Sequence, residues 1–167
     1  MDRPVQLEER QILDIEIRAC EPEDVLEMAP NLRQAAKDEV RAAYGWGPLE
    51  ALELSRQASK ACFVVLYKDA PALIFGVCDR PQHPGQGCIW MLGTDAVDKF
   101  RKRFVRYSRE YLADLCAGYD SVMNYVDERH SESIRWLRSL GADFTQRHPS
   151  FGIEKRPFME FRLTCAD

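Results

Sequence analysis

Hydrophobic residues along this chain recur in two periods, and the switches between them mark out its elements. Residues 12–18, Ile-Leu-Asp-Ile-Glu-Ile-Arg, alternate, with Leu13, Ile15 and Ile17 on one face and Asp14, Glu16 and Arg18 on the other, as in a half-buried strand. Glu21-Pro-Glu-Asp24 then opens a short helix ending near Ala29, and Pro30 starts a second that carries Leu32, Ala36 and Val40 to about Tyr44. Gly45-Trp-Gly-Pro48 breaks it and Pro48 opens a third, with Leu49 and Leu52. The runs 61–67 and 72–78 are apolar at nearly every position and are joined by Lys68-Asp-Ala-Pro71. That pattern predicts an antiparallel hairpin lying centrally in a sheet covered on both faces. Cys88 to Leu92 adds a third strand after an exposed loop from Arg80 to Gly87.

The period then lengthens. Val97, Phe100, Phe104, Tyr107, Tyr111 and Leu115 form one stripe of a long helix, with Lys99, Lys102, Arg103, Arg106 and Arg109 on its solvent side and Gly118 at its end. Ser121 to Val126 is a strand, and strand, helix, strand at this spacing implies parallel pairing through a right-handed crossover. A last helix from about Ser131 carries Ile134, Leu137 and Leu140 and stops at Gly141. A loop from Gln146 to Arg156 leads to a closing strand on which Met159, Phe161 and Leu163 alternate with Glu160 and Arg162.

Composition narrows the class. At 167 residues the chain is expected to be a polar arm over residues 1–10 and a single domain over 11–167. With 46% hydrophobic and 30% charged residues it has the make-up of an ordinary soluble domain. A net charge of −4 argues against a general nucleic-acid or anionic-membrane binder, so any such contact must come from a local cluster such as the basic helix face. The six cysteines, at 20, 62, 78, 88, 116 and 165, show no C-x-x-C pair and no histidine at ligand spacing. They read as reduced core thiols in a cytosolic compartment, with no metal site. No apolar run approaches the roughly 18 residues of a membrane span.

The order of elements resembles the Gcn5-related N-acetyltransferase superfamily. Within it, the segment from Trp90 to Phe144 resembles the acetyltransferase-like internal virion proteins and acetyltransferases of tailed phages. The resemblance rests on the basic helix Lys99-Phe-Arg-Lys-Arg-Phe-Val-Arg106, the strand Met123-Asn-Tyr-Val126, and Ser133-Ile-Arg-Trp-Leu-Arg-Ser-Leu-Gly-Ala142. It implies an α+β, three-layered fold: a mixed, mostly antiparallel sheet, helices on both faces, and a splayed parallel strand pair. It also implies a place in the host cytoplasm or the virion and a phage or host protein as partner.

Two motifs of that superfamily are altered here. Its R/Q-x-x-G-x-G/A loop cradles the coenzyme A diphosphate on backbone amides at a helix N-terminus. This chain has Leu92-Gly-Thr-Asp-Ala-Val-Asp-Lys99, in which only Gly93 matches. Thr94 or Asp95 is placed to cap the helix, with Asp98 in its first turn, and these carboxylates would repel a diphosphate. The superfamily's proton-donating tyrosine, in N-x-x-A-x-x-L-Y-x-x-x-G-F, falls on Leu137 when counted back from Gly141, and a leucine has no proton to give.

Two functions follow as expectations. The first is a catalytically degenerate phage protein acting in virion assembly or on a host protein through its surface, with no cofactor. The second is an acetyl-CoA-dependent N-acetyltransferase acting on a protein amine. In that case Asp127, Glu128 and His130 are the catalytic candidates, and Leu92, Gly93, Thr94, Asp95, His130 and Ser133 the coenzyme contacts. The plain alternatives are a capping role for His130 and a solvated loop for Asp127 and Glu128. A third expectation is nucleic-acid contact through Lys99, Lys102, Arg103, Arg106 and Arg109. No serine, histidine and aspartate set stands out in the sequence.

Overall fold

The computed structural model describes residues 14–165, the side chain of Tyr107 excepted. The expected N-terminal arm and Leu13 lie outside the described residues. The chain runs β1 (Ile15–Ala19), α1 (Pro22–Met28), α2 (Gln34–Tyr44), α3 (Pro48–Ala58), β2 (Ser59–Tyr67), β3 (Ala70–Asp79), β4 (Gln86–Gly93) and α4 (Val97–Cys116). It continues with β5 (Ser121–Asp127), α5 (Ser131–Ser139), β6 (Asp143–Phe151) and β7 (Arg156–Thr164). The strands form one sheet in the order β1-β2-β3-β4-β5-β7-β6. Every neighbouring pair is antiparallel except β4 and β5.

The apolar meander sits where its composition demands. In β3, residues 71–77 are buried without interruption because both faces are covered. Leu73, Phe75 and Val77 join Phe100, Tyr111 and Leu115 of α4 and Leu137 of α5 on one face. Ile74 packs on the other with Val25 and Met28 of α1, Val40 of α2 and Leu52 of α3. The turn between β2 and β3 contains only Lys68 and Asp69, both at positive φ (49° and 66°), as a two-residue hairpin of matching twist requires.

Three expectations are corrected. Residues 29–31 form a 3-10 turn, and α2 begins at Gln34, not at Pro30. The cause is the extended pair Leu32-Arg33: Leu32 bridges Thr94, and the Arg33 amide donates to the Gly93 carbonyl at 3.0 Å. The expected loop from Gln146 is largely the edge strand β6, paired with β7 in a hairpin. It shows no alternation because much of it is solvent-exposed, and it carries Pro149 where the register shifts between His148 and Phe151. Finally, Cys116 and Cys165 form a disulfide, with 5.5 Å between Cα atoms, while Cys20, Cys62, Cys78 and Cys88 are free. The bond joins the end of α4 to the end of β7, two places brought together by the β5–β7 pairing and not by sequence spacing.

Candidate functional site

The parallel pairing of β4 and β5 lasts only from Gln86↔Ser121 to Cys88↔Met123. Asn124 ends it: its Nδ2 donates to the Ile89 carbonyl at 2.6 Å while its Oδ1 accepts the Tyr125 amide at 2.7 Å. Beyond that point the strands part. On the α4/α5 face lies an apolar cavity of about 100 Å³, walled by Phe75, Tyr111, Leu137, Phe161 and Leu163. It shares Met91, Phe104, His130, Ser133 and Trp136 with a neighbouring cleft of about 430 Å³ that also reaches Arg33 and Arg101. On the opposite face is a cleft of about 240 Å³ lined by Tyr44, Trp46, Tyr125 and Phe151. Glu39, Trp90, Met91, Asn124 and Tyr125 line both it and the inner cavity, so the gap between the strands is a window through the sheet.

Two strand-to-helix junctions flank this window. At the first, between β4 and α4, backbone bonds close the loop on itself. The Thr94 amide donates to the Ala72 carbonyl (2.9 Å), Ala96 to Thr94 Oγ1 (3.2 Å), Val97 to the Thr94 carbonyl (3.2 Å), Asp98 to Asp95 (3.1 Å) and Lys99 to Ala96 (3.0 Å). Gly93 is enclosed, since a Cβ on it would stand 2.9 Å from Val97 Cγ2 and 3.1 Å from Leu73 Cδ1. A diphosphate needs several amides free to converge on it. Here the amides of Thr94, Ala96, Val97, Asp98 and Lys99 are all bonded to protein acceptors, so the residues present do not fit the coenzyme's diphosphate.

The expected capping by Thr94 or Asp95 is corrected. The helix N-cap is Ala96, without a side-chain cap bond. Asp95, 87% exposed at its side chain, lies 4.0 Å from Arg33 Nε. Asp98 sits in the first turn but is paired with Arg101, and its Oδ1 stands 3.6 Å from Arg33 Nη2. Glu132 of α5 takes both arginines as well, at 2.8 Å and 3.7 Å. The loop is therefore held by backbone bonds and by a cluster in which Arg33 and Arg101 pair with Asp95, Asp98 and Glu132. Leu92 turns to the α1–α3 core, and Thr94 is buried.

The second junction, between β5 and α5, carries the remaining candidates, and the structure separates them. Asp127 is 2% exposed; its oxygens accept from the Arg129 amide (2.9 Å) and from the guanidinium at 2.7 and 3.1 Å. Burial alone would raise its pKa, but the Arg129 bonds outweigh it and hold the carboxyl below the usual range. It is a structural anchor and lines neither cavity. Glu128 is engaged by Arg147 at 3.0 and 3.1 Å, which lowers its pKa likewise.

His130 alone of the three opens on the window. Its Nδ1 lies 3.3 Å from Glu39 Oε2 and its Nε2 lies 3.1 Å from Ser133 Oγ. Glu39 Oε2 also accepts the Asp127 amide at 3.0 Å, so β5 itself holds the carboxylate in place. Reading the sequence missed Glu39 altogether: it lies in α2, 91 residues from His130, at a helical position like any other glutamate. His130 occupies the N-cap position of α5 without a side-chain cap bond, and it is a link in a serine, histidine, glutamate chain. Leu137, at the position of the lost tyrosine, is buried in the cavity wall. Lys99, Lys102, Arg103, Arg106 and Arg109 of α4 are exposed, and Arg109 donates to the Ser139 carbonyl at 2.8 Å. Among the described residues no helix is long and apolar enough to cross a membrane.

A mixed sheet with one splayed parallel pair, helices on both faces and a window at the splay defines the Gcn5-related N-acetyltransferase fold. Solved structures agree. Ard1 from Thermoplasma volcanium superposes with a TM-score of 0.73 at 16% identity, over 93% of this chain and all of that one. The acetyltransferase yncA from Salmonella typhimurium, solved with acetyl-CoA, gives 0.61 at 15% over 92% of this chain and 95% of its own. The ribosomal-protein-S18-alanine N-acetyltransferase from Escherichia coli gives 0.62 at 15%, again over 92% and 95%. In sequence, residues 82–149 match the family described as "Bacteriophage T7, probable scaffold protein Gp13", a stretch that contains both junctions. No curated protein matches the chain.

Proposed function

We propose that this chain is a phage-type protein of the N-acetyltransferase fold that serves virion assembly through its surface and no longer transfers acetyl groups from coenzyme A. The closed β4–α4 junction carries the second half of that reading, because the amides of Thr94, Ala96, Val97, Asp98 and Lys99 are already bonded, within the loop or to Ala72. Leu137 in place of a proton donor supports it. The likeness of residues 82–149 to a probable scaffold protein supports the first half. The partner is then a phage or host protein, and the exposed cations of α4 offer it an acidic-ligand surface.

The test follows the tagged chain through infection. It should co-sediment with assembling particles, and deletion of its gene should leave those particles incomplete; normal particle yield without it would end the assembly role. Acetyl-CoA tests the other half. A ligand at 100 times its Kd stabilises by about 2.7 kcal/mol, so a true coenzyme site raises the melting temperature by several degrees, and we expect no shift. One feature favours the alternative, an atypical acyl-CoA-dependent N-acetyltransferase acting on a protein amine: the window links clefts on both faces, with His130 beside it as the sole open candidate base among Asp127, Glu128 and His130.

A further inference from the structure

We infer that Ser133, His130 and Glu39 form a nucleophilic relay that hydrolyses small acyl esters in the cleft beside α5. This goes beyond the assembly reading and needs no coenzyme. With a neutral imidazole the polar chain has one consistent direction. A carboxylate at Glu39 can only accept, so His130 Nδ1 carries the proton toward it, which leaves Nε2 as acceptor for the Ser133 hydroxyl at 3.1 Å. Such an order is what turns an ordinary serine into a nucleophile: a base in contact with the hydroxyl, and a carboxylate fixing the base's orientation.

Three features hold the arrangement. Glu39 is pinned by the Asp127 amide, and Asp127 is itself locked by Arg129. The His130 side chain is 17% exposed, so it is confined yet reachable. Ser133 stands in the first turn of α5, where it lines both the apolar cavity and the larger cleft. Trp136, whose Nε1 is buried without an acceptor, contributes to the wall common to both.

The dimensions set the substrate class. A cavity of about 100 Å³ with an apolar wall takes a short acyl chain. It is below the roughly 150 Å³ that admits benzene. The alcohol portion lies in the wider cleft, lined by Arg33, Arg101 and Arg135 against Glu132, so a neutral or anionic alcohol is favoured over a cationic one. In the reaction, Ser133 Oγ bonds to the ester carbonyl carbon as its proton passes to His130 Nε2. The tetrahedral adduct expels the alcohol oxygen, which takes that proton, leaving an acyl-serine. Water, deprotonated by the same nitrogen, then releases the carboxylic acid and restores the hydroxyl.

The full chain is treated with a fluorophosphonate and, separately, with p-nitrophenyl butyrate. Peptide mass spectrometry should find the phosphonyl adduct on Ser133, with fluoride displaced, and no adduct in Ser133→Ala. Butyrate turnover should fall to background in Ser133→Ala and His130→Ala, by up to about 10⁶-fold if the relay is as effective as in other serine enzymes. Glu39 is a positioning residue: Glu39→Gln keeps an acceptor for the Asp127 amide and should lower kcat while leaving KM unchanged. An unlabelled wild-type chain, or an adduct on another residue, would overturn the proposal. So would labelling whose rate survives His130→Ala. Should His130→Ala fail to fold, the wild-type and Ser133→Ala measurements still decide, and none of these results bears on assembly.

Discussion

The two junctions beside the window occupy equivalent places in the fold, each at the C-terminal end of one of the two parallel strands, where open sheets hold their ligands. They differ in which atoms meet there. At β4–α4 the chain turns tightly enough for its amides to bond to carbonyls and a hydroxyl of the same loop and of Ala72. At β5–α5 side chains converge from three elements, Glu39 of α2, Asp127 of β5 and His130 with Ser133 at the start of α5. One junction has most of its amides bonded to protein acceptors, and the other brings together groups that can move a proton. On the proposed reading, a fold can drop its cofactor at one end of the splay without erasing the chemistry at the other.

The largest effect should come from the anchor of the second junction. Asp127→Ala removes the acceptor of the Arg129 amide and guanidinium and loosens the strand end that holds Glu39. Arg129 is 42% exposed and regains water, so the cost is about 2–3 kcal/mol, visible as a melting temperature lower by roughly 5–10 °C. An unchanged melting temperature would show that Arg129 and Asp127 do not order this junction. The same pair fixes an acid dependence. Asp127 is held below its ordinary pKa, as is Asp24, where burial opposes and the bidentate Arg18 at 2.7 and 2.8 Å prevails. A carboxyl with a depressed folded value binds fewer protons folded than unfolded. Its stabilisation is therefore present above the ordinary carboxylate range, about pH 4, and is lost as pH falls through the folded values. Melting curves from pH 7 to pH 3 should fall below about pH 4, and the fall should shrink in Asp127→Ala.

The first junction should be less sensitive but still measurable. Gly93→Ala places a methyl group 2.9 Å from Val97 Cγ2 and 3.1 Å from Leu73 Cδ1. The start of α4 must then shift, at a cost of about 1–2 kcal/mol. Amide hydrogen exchange should speed up at Ala96, Val97 and Asp98, whose bonds close the loop. Unaltered exchange there would mean that the closure does not depend on this glycine.

Local periodicity revealed what local physics decides. β2, β3, β4, α4, β5 and α5 were all legible because their apolar residues recur at the period of the element they form, and the leucine at the proton donor's position was legible from its distance to Gly141. β6 was not, since Asp143–Phe151 is an exposed edge without a consistently buried face. The contact of Glu39 with His130 and the Cys116–Cys165 bond were illegible for another reason: each joins residues that only the finished sheet brings together. The carboxylates of the β4–α4 loop were visible as residues, but their neutralisation by Arg33 was not, because Arg33 reaches them from an extended pair that reads as helix in sequence.

The smallest expected effect discriminates between the two ways of closing that loop. If Asp98 repelled the diphosphate by its charge, Asp98→Ala would restore affinity for acetyl-CoA. The hydrogen bonds say otherwise. Removing Asp98 leaves Arg101 paired with Glu132 at 2.8 Å and leaves the five amides of the loop bonded as before. Since the Asp98 side chain is 49% exposed, the loss in stability should stay below about 1 kcal/mol. Calorimetry with acetyl-CoA should register no more heat for Asp98→Ala than for the wild type. A measurable affinity gained by this one substitution would place the block in charge instead of backbone, and the contrast between the junctions would then rest on a single side chain.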